Sequence, residues 1–342
     1  IMQYNMIPIE LQCLDINVYI HLKFSNVSFD ALVEHSRRFV MFYLEVQGDK
    51  LIKEQDQTCV QLESDTASLE DYRAKFKNLL QKQRSLSYLV KAKDCIFLSI
   101  SHVVCDGVML RKFVNSFGKK VEDSLNLQIS NPMMDFDIQP HQETLLPMEP
   151  AQIPAEPLQF AQQSPQTSFK IQLQNLHFLN EKLNLFLHLF CNKHLQTKNS
   201  PVGNVVDLRR FSKQTKSNKL NYISTFYIRV LLENKICETL EAIREHTKAQ
   251  KLEDYLKFWE GVQEETAVEL SNVGSFMGNV EIGTTADMSG PALALICYSC
   301  QNELRGFIEF GEELGEKCRQ SLERYFQQVD MLEIVEELNE LI

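Results

Sequence analysis

The sequence lacks several features that would place it in a specialised class of protein. No apolar run approaches the ~20 residues that a membrane-spanning helix needs, so no transmembrane segment is predicted. The net charge of −11 argues against nucleic-acid binding, because a duplex-binding protein needs a basic face to displace counterions. No charged-then-apolar leader opens the sequence, which begins with Ile1, and no internal repeat is visible.

The nine cysteines show no pattern of pairing. Their odd number and irregular spacing in a long chain are typical of free thiols in a reducing compartment, so a cytoplasmic protein is predicted. Cys297 and Cys300 form a CxxC, but the apolar run before them predicts a strand, in which the two thiols point to opposite faces. No metal site is predicted, since His188, Cys191 and His194 spread too widely around a helix.

Length and pattern together predict a two-lobed α/β protein. A chain of 342 residues exceeds what one hydrophobic core usually supports. Residues 131–168 hold many prolines and little periodicity, which is typical of a linker. We therefore expect an N-terminal lobe at 1–130, a proline-rich crossover linker at 131–168 and a C-terminal lobe at 169–342. Helices are predicted at 107–121 and at 312–338.

One segment carries a pattern with chemical meaning. An almost wholly apolar strand runs into His102, and Asp106 and Gly107 follow at the predicted start of a helix. Asp106 can cap that helix, and Gly107 lets the backbone turn without a side chain blocking the site. A neutral imidazole at a strand end is suited to remove a proton from a hydroxyl or an amine. Chance placement of the Asp and the Gly is on the order of 1%. The alternative is a structural histidine beside an N-cap aspartate.

Three segments resemble a known family. The HxxxDG pattern from His102 to Gly107 resembles the hallmark of the coenzyme-A-dependent acyltransferase superfamily, which has the chloramphenicol-acetyltransferase-like fold. The segment PVGNVVDLR, ending in Arg209, resembles the family's strand that ends in an arginine. The segment LSNVG at 270–274 resembles the SNxG of the alcohol acetyltransferase and polyketide-associated branches. The resemblance covers most of the chain, and the order and spacing of the three segments fit.

Departures from the family patterns indicate which branch of the superfamily the sequence resembles. Condensation domains of peptide synthetases usually carry a second histidine where this sequence has Ser101. The DHRxxDG of the 2-oxoacid dehydrogenase transacylases and the DFGWG of the plant acyltransferases are both absent, and the chain is short for the superfamily. The sequence is therefore most similar to the alcohol acetyltransferase and polyketide-associated acyltransferase branch.

The resemblance implies a fold and a reaction. It implies two chloramphenicol-acetyltransferase-like lobes, each a mixed β-sheet flanked by helices, with the active-site channel between them. His102 would be the general base that moves an acyl group from acyl-CoA to the hydroxyl or amine of a small acceptor, without a covalent acyl-enzyme. Acyl-CoA would be a co-substrate, with no permanently bound cofactor and no metal, and the protein would act as a monomer.

The resemblance also assigns roles to other residues. Asp106 would be structural and would pair with Arg209, which fixes the loop that aims the imidazole; the alternative for Arg209 is a solvated strand end. Ser271, with Asn272 nearby, would donate to the oxyanion; the alternative is a turn, since Ser-Asn-x-Gly is turn-prone.

Two other functions fit the same resemblance. One is a stand-alone condensation-like domain that takes its acyl group from a carrier-protein thioester. The other is an inactive member of the fold that serves as a binding module, against which the joint presence of His102, Asp106, Gly107 and Arg209 speaks.

Overall fold

The computed structural model describes both halves of the chain but little of the segment between them. The described residues are 3–6, 8–15, 17–119, 125, 127–130, 132–136, 166–195, 201–212, 218–229, 232–256, 268–286, 293–309 and 312–342. The predicted linker at 131–168 lies outside the described residues except at 132–136 and 166–168. In the part described, no helix is long and apolar enough to cross a lipid bilayer.

Strands and helices are interspersed along both halves, as expected for an α/β protein. The described strands are β1 (Gln3–Asn5), β2 (Tyr19–Ser25), β3 (Leu44–Gln47), β4 (Lys50–Lys53), β5 (Val60–Glu63), β6 (Ser87–Lys91), β7 (Cys95–Ser101), β8 (Ile129–Ser130), β9 (Gln166–Gln172), β10 (Val202–Asp207), β11 (Asn218–Lys219), β12 (Ile223–Ile228), β13 (Val268–Ser275), β14 (Val280–Thr285), β15 (Leu293–Cys300) and β16 (Glu303–Glu309). The described helices are α1 (Pro8–Asp15), α2 (Phe29–Ser36), α3 (Leu69–Lys82), α4 (Gly107–Asn115), α5 (Pro132–Phe136), α6 (Leu179–His194), α7 (Ile236–Ala249), α8 (Leu252–Leu256), α9 (Glu312–Gln328) and α10 (Val335–Leu341).

The first large sheet carries the strand that leads to His102. Its order is β14-β2-β7-β6-β5, and it is mixed because β5 and β6 run parallel while the other pairs are antiparallel. Helix α3 covers one face through Tyr72 and Phe76, and α2 and α4 cover the other through Leu32 and Phe113. Every residue of β7 is buried. A central strand covered on both faces needs apolar side chains in both directions, which explains the nearly continuous apolar sequence of β7.

The second large sheet forms the core of the other lobe. Its order is β12-β10-β13-β15-β16-β9, and β13 runs parallel to both of its neighbours. Helices α6, α7 and α9 pack on one face, where Phe186, Leu240 and Tyr325 join a single hydrophobic cluster. Helix α6 is buried continuously from Lys182 to Cys191 because it lies between the sheet and the other helices.

Strand β14 links the two sheets. It follows β13 in the second half of the chain but pairs with β2 of the first sheet along its whole length, from Val280 to Thr285. His21 of β2 supports this pair, since its ring nitrogens contact Thr285 Oγ1 at 2.9 Å and Ser99 Oγ at 2.7 Å. Residues 169–342, expected to form the C-terminal lobe, therefore also supply one strand to the N-terminal sheet.

Two helices are shorter than predicted. The helix expected at 107–121 is α4, and Gly118, with a φ of 75° in the left-handed region, closes the turn that follows it. The helix expected at 312–338 is interrupted between α9 and α10. There the backbone of residues 333–335 bonds to the backbone of residues 234–236, which a continuous helix would not allow.

The cysteines are free thiols, as the sequence predicts. All nine are unpaired, and eight are buried or partly buried. Cys297 and Cys300 lie on β15, with Cys297 in the hydrophobic cluster of the second lobe and Cys300 in that of the first. Their thiols point to opposite faces of the strand, as the sequence predicts.

Candidate active site

The loop of residues 102–106, here the motif loop, is held at both ends by regular structure. The backbone N–H of His102 donates to Val18 O at 2.8 Å, which extends the pairing of β7 by one residue. At the other end Asp106 is the N-cap of α4, and its Oδ1 accepts from Met109 N at 2.9 Å. The strand end and the helix start that the sequence predicts around His102 are both present.

The carboxylate of Asp106 is fully buried and receives hydrogen bonds from both halves of the chain. Met109 supplies one donor from the same helix. Asp106 Oδ2 accepts from Tyr222 N and from Arg209 Nη2, both at 2.8 Å. A buried carboxylate is tolerated when its lost hydration is replaced by a counter-ion and by hydrogen bonds. These contacts therefore fix the motif loop against the second lobe.

Arg209 is the counter-ion of Asp106 and is not a solvated strand end. It lies in the short turn that follows β10, and its side chain is only 17% exposed. Its Nη1 donates to Asp207 Oδ1 at 2.9 Å, and its Nη2 also donates to Lys219 O at 2.6 Å. Burial lowers the pKa of Arg209, but the negative charges of Asp106 and Asp207 outweigh that effect and raise the pKa above its ordinary value. The guanidinium therefore keeps its charge.

Segment 220–222, just before β12, completes the site and was not found by the sequence analysis. Leu220 O accepts from Asp106 N at 3.3 Å, and Tyr222 N donates to the carboxylate. Asn221 Nδ2 donates to His102 O at 3.1 Å. Asn221 and His102 are 119 positions apart, and much of this contact uses backbone atoms. No spacing or residue type in the sequence signals it.

The surroundings of His102 favour a neutral imidazole. Burial lowers its pKa, while the charge of Asp106 and a hydrogen bond from the ring to the backbone of His102 itself oppose that effect only in part. A neutral imidazole has one ring nitrogen with a free lone pair, which is what a general base requires.

Ser271 and Asn272 lie in a strand, so the alternative of a turn is wrong. Ser271 pairs with Ile296 on β15, and Ile296 packs against the core of the first lobe. Directly paired residues share a face of the sheet, so Ser271 faces the first lobe. The side chain of Asn272 points to the opposite face of the sheet. Its Nδ2 donates to Asn180 Oδ1 at 2.6 Å, and its Oδ1 accepts from Gly274 N. The structure therefore directs Ser271, but not Asn272, towards the lobe that holds His102.

Two glycines allow α4 and β13 to meet. A Cβ at Gly107 would lie 2.9 Å from Val273 Cγ1, so Gly107 leaves room for the β13 side chain. Gly274 has a φ of 92°, and a Cβ there would lie 1.8 Å from Arg111 Nη1. Without that Cβ, Arg111 donates to Val273 O at 3.0 Å. The glycine of HxxxDG and the glycine of SNxG thus serve one contact between the motif helix and β13.

No metal centre is found among the described residues. No group of three or more His, Cys, Asp or Glu side chains there is arranged to hold a metal ion. Cys105 lies inside the motif loop and is fully buried. Burial, followed by the charge of Asp106, raises the pKa of the Cys105 thiol well above its usual range, so the thiolate form needed for nucleophilic attack is disfavoured.

Replacing Arg209 is expected to destabilise the protein strongly. In Arg209→Ala the buried Asp106 carboxylate loses its counter-ion, and the expected loss is about 3–5 kcal/mol of unfolding free energy. Urea denaturation measures it. Arg37→Ala is the control, since Arg37 pairs with Glu34 at the exposed surface and is expected to contribute about 0–1 kcal/mol. Equal effects of the two substitutions would contradict this account of Arg209.

The contact between Gly107 and Val273 predicts a rescue. Gly107→Ala is expected to cost about 1–3 kcal/mol of unfolding free energy, because the new methyl group overlaps Val273. In the double variant with Val273→Ala both Cγ atoms are gone, and the remaining Cβ lies at 3.5 Å, an ordinary contact. Denaturation of the wild type, the two single variants and the double variant gives the coupling energy. Simple additivity of the two substitutions would rule out the steric explanation.

This chain is similar in fold to solved structures of other proteins. Polyketide synthase associated protein 5 from Mycobacterium tuberculosis matches with a TM-score of 0.65 at 12% sequence identity, over 96% of this chain and 97% of that chain. The starter condensation domain of rhizomide synthetase RzmA matches with a TM-score of 0.59 at 11% identity, over 98% of each chain. A mutant of that domain in complex with C8-CoA and Leu-SNAC has a TM-score of 0.62 at 11% identity, over 98% of this chain and 96% of that chain.

Comparison of the sequence itself gives no relatives. No family model matches the chain, and no curated protein matches it. At identities of 11–12% the structural likeness shows the fold alone. The predicted fold is confirmed: the chain is a mixed α/β protein with two sheets flanked by helices, in the two-lobed arrangement of condensation domains and chloramphenicol-acetyltransferase-like proteins.

Proposed function

We propose that this protein is an acyltransferase that moves an acyl group from acyl-CoA to the hydroxyl or amine of a small acceptor. The observation that carries the proposal is the position of His102 at the end of β7, in a loop that Asp106 fixes to both lobes. A base with a pKa below its ordinary value is unprotonated at neutral pH and ready to accept a proton. The fold, shared with a domain that was crystallised with C8-CoA, supports the choice of donor.

The proposed reaction is one direct transfer. His102 Nε2 takes the proton of the acceptor hydroxyl or amine while the acceptor's lone pair forms a bond to the thioester carbonyl carbon. The carbonyl π electrons move to the oxygen, and Ser271 Oγ–H is the candidate donor to that oxyanion. When the tetrahedral intermediate collapses, the C–S bond breaks and the leaving thiolate receives the proton from His102. No covalent acyl-enzyme is needed, and the protonated, buried Cys105 is not suited to form one.

A condensation-like reaction is the second candidate. In it the acyl donor is a thioester on a carrier protein, and the chemistry at His102 is unchanged. The observation in its favour is the fold match to starter condensation domains. The presence of Ser101 in place of a second histidine favours the acyl-CoA reaction.

Substitution of His102 tests the proposal. A panel of acyl-CoA thioesters is incubated with small alcohols and amines, and thiol release is followed. His102→Ala is expected to lower the rate by about 10²–10⁴-fold, the contribution of a general base. The control is His177→Ala, because His177 is exposed and remote from the motif loop in sequence. Undiminished activity in His102→Ala would contradict the proposed mechanism. Activity only with donors bound to a carrier protein would favour the second candidate reaction.

The direction of the His102 pKa shift predicts the pH profile. Only the unprotonated imidazole is active, so kcat/KM rises with pH and levels off once His102 is neutral. Because the pKa of His102 is lowered from 6.5, the midpoint of that rise is expected below pH 6.5. Steady-state rates between about pH 4.5 and 8 measure it. A midpoint above 6.5, or the same acid limb in the residual activity of His102→Ala, would contradict the assignment.

A further inference from the structure

Glu269 of β13 carries a carboxylate that faces the first lobe. Ser271 lies two residues further along the strand, so the two side chains point to the same face of the sheet. Val268 and Leu270 point the other way, into the hydrophobic cluster of the second lobe. Glu269 lies deep in the protein and still keeps part of its surface exposed. This combination is typical of a side chain that lines a cavity.

The same face of the second sheet carries a second glutamate close by. A row of directly paired residues crosses five strands of this sheet, and its members are Gly203, Glu269, Ala294, Glu309 and Gln166. Directly paired residues point to the same face, so both glutamates face the first lobe. Ala294 places only a methyl group between them. The row therefore brings two negative charges to one wall of the space between the lobes.

The two glutamates differ in their partners. Glu309 Oε1 accepts hydrogen bonds from Gln166 Nε2 and, at 2.5 Å, from Thr284 Oγ1. The positive charge of Arg73 also acts on Glu309. Among the described residues, no hydrogen-bond donor or cation contacts the carboxylate of Glu269. Burial, followed by the charge of Glu309, raises the pKa of Glu269 to about 7. The ionised carboxylate therefore lacks a cationic partner, which a ligand can supply.

Glu269 lies within a short distance of the proposed place of reaction. On the face of β13 that meets the first lobe, Val273 contacts Gly107 of the motif helix. Ser271 and then Glu269 precede Val273 on that face, in steps of two residues. At a rise of ~3.3 Å per residue, Glu269 and Ser271 are about 6–7 Å apart. A small molecule that reacts beside Ser271 can therefore reach the Glu269 carboxylate with its other end.

We propose that Glu269 binds an ammonium group of the acceptor, and that the preferred acceptors carry this group about 6–7 Å from the hydroxyl or amine that reacts. Amino alcohols and diamines have this chemistry. The inference rests on the proposed function, because it places the reaction beside Ser271. The phosphates of CoA do not suit this wall, since they carry the same sign of charge as Glu269 and Glu309.

Two acceptors of equal length and different charge test the inference. 4-Aminobutan-1-ol has an ammonium group where pentan-1-ol has a methyl group. With one acyl-CoA donor, we expect kcat/KM of the wild type to be about 10- to 100-fold higher for 4-aminobutan-1-ol, mainly through KM, as for a hydrogen bond to a charged group. In Glu269→Gln this ratio is expected to fall close to one. Glu45→Gln is the control, since Glu45 is an exposed glutamate in a strand, and it should keep the wild-type ratio.

The stability of the same variant distinguishes a binding role from a structural one. Glu269→Gln keeps the shape of the side chain and removes a charge that has no counter-ion, so urea denaturation should give an unfolding free energy that is unchanged or higher. A loss of stability together with an unchanged preference between the two acceptors would show a structural role and overturn the inference. Glu269→Met repeats the kinetic comparison if the glutamine variant fails to fold.

Calorimetric titration with 4-aminobutan-1-ol, in the absence of any thioester, separates this inference from the proposed function. Binding to the wild type that is lost in Glu269→Gln, together with no acyl transfer, would reject the proposed function and support the ammonium site. Equal acylation of the two alcohols by the wild type, or a preference that persists in Glu269→Gln, would overturn the inference and leave the acyltransferase activity in place. Absence of both binding and transfer would overturn both.

Discussion

The site depends on one buried negative charge, the carboxylate of Asp106. It accepts a hydrogen bond from Met109 in its own helix, one from Tyr222 and an ion pair from Arg209. Two of these three donors come from the other half of the chain. A charge in this position is stable only when both halves are in place, so the motif loop has its final shape only in the complete fold. The geometry of the imidazole follows from that shape.

The sequence predicted the parts of the site that are local. A strand that ends at His102 and a helix capped by Asp106 depend on neighbouring residues, so periodicity and capping rules found them. Arg209 was found through the family resemblance, since no local rule connects it to Asp106. Segment 220–222 was missed because it joins the site through contacts across the fold. The sequence also did not predict which way the side chains of Ser271 and Asn272 point. A Ser-Asn-x-Gly segment usually forms a turn, but here it belongs to β13.

The sequence predicted about as much of the fold as of the site. The apolar β7 indicated a central strand, and the alternation of strands and helices indicated an α/β protein. The partner of each strand was not predictable, because hydrophobic pattern determines which face is buried but not which edge is adjacent. Strand β14 is the clearest case: its pattern predicted a strand, and only the structure assigns it to the first sheet.

The assignment of β14 has a consequence for how the chain folds as it is synthesised. The first sheet needs β14 beside β2, and these strands lie near opposite ends of the sequence. While the chain emerges from the ribosome, β2 therefore remains an open edge with unpaired backbone groups until β14 has been made. Contacts of such long range close slowly, because the chain entropy between them must be lost first. The N-terminal half is then exposed to association with other chains, and its final fold depends on the late arrival of the C-terminal half.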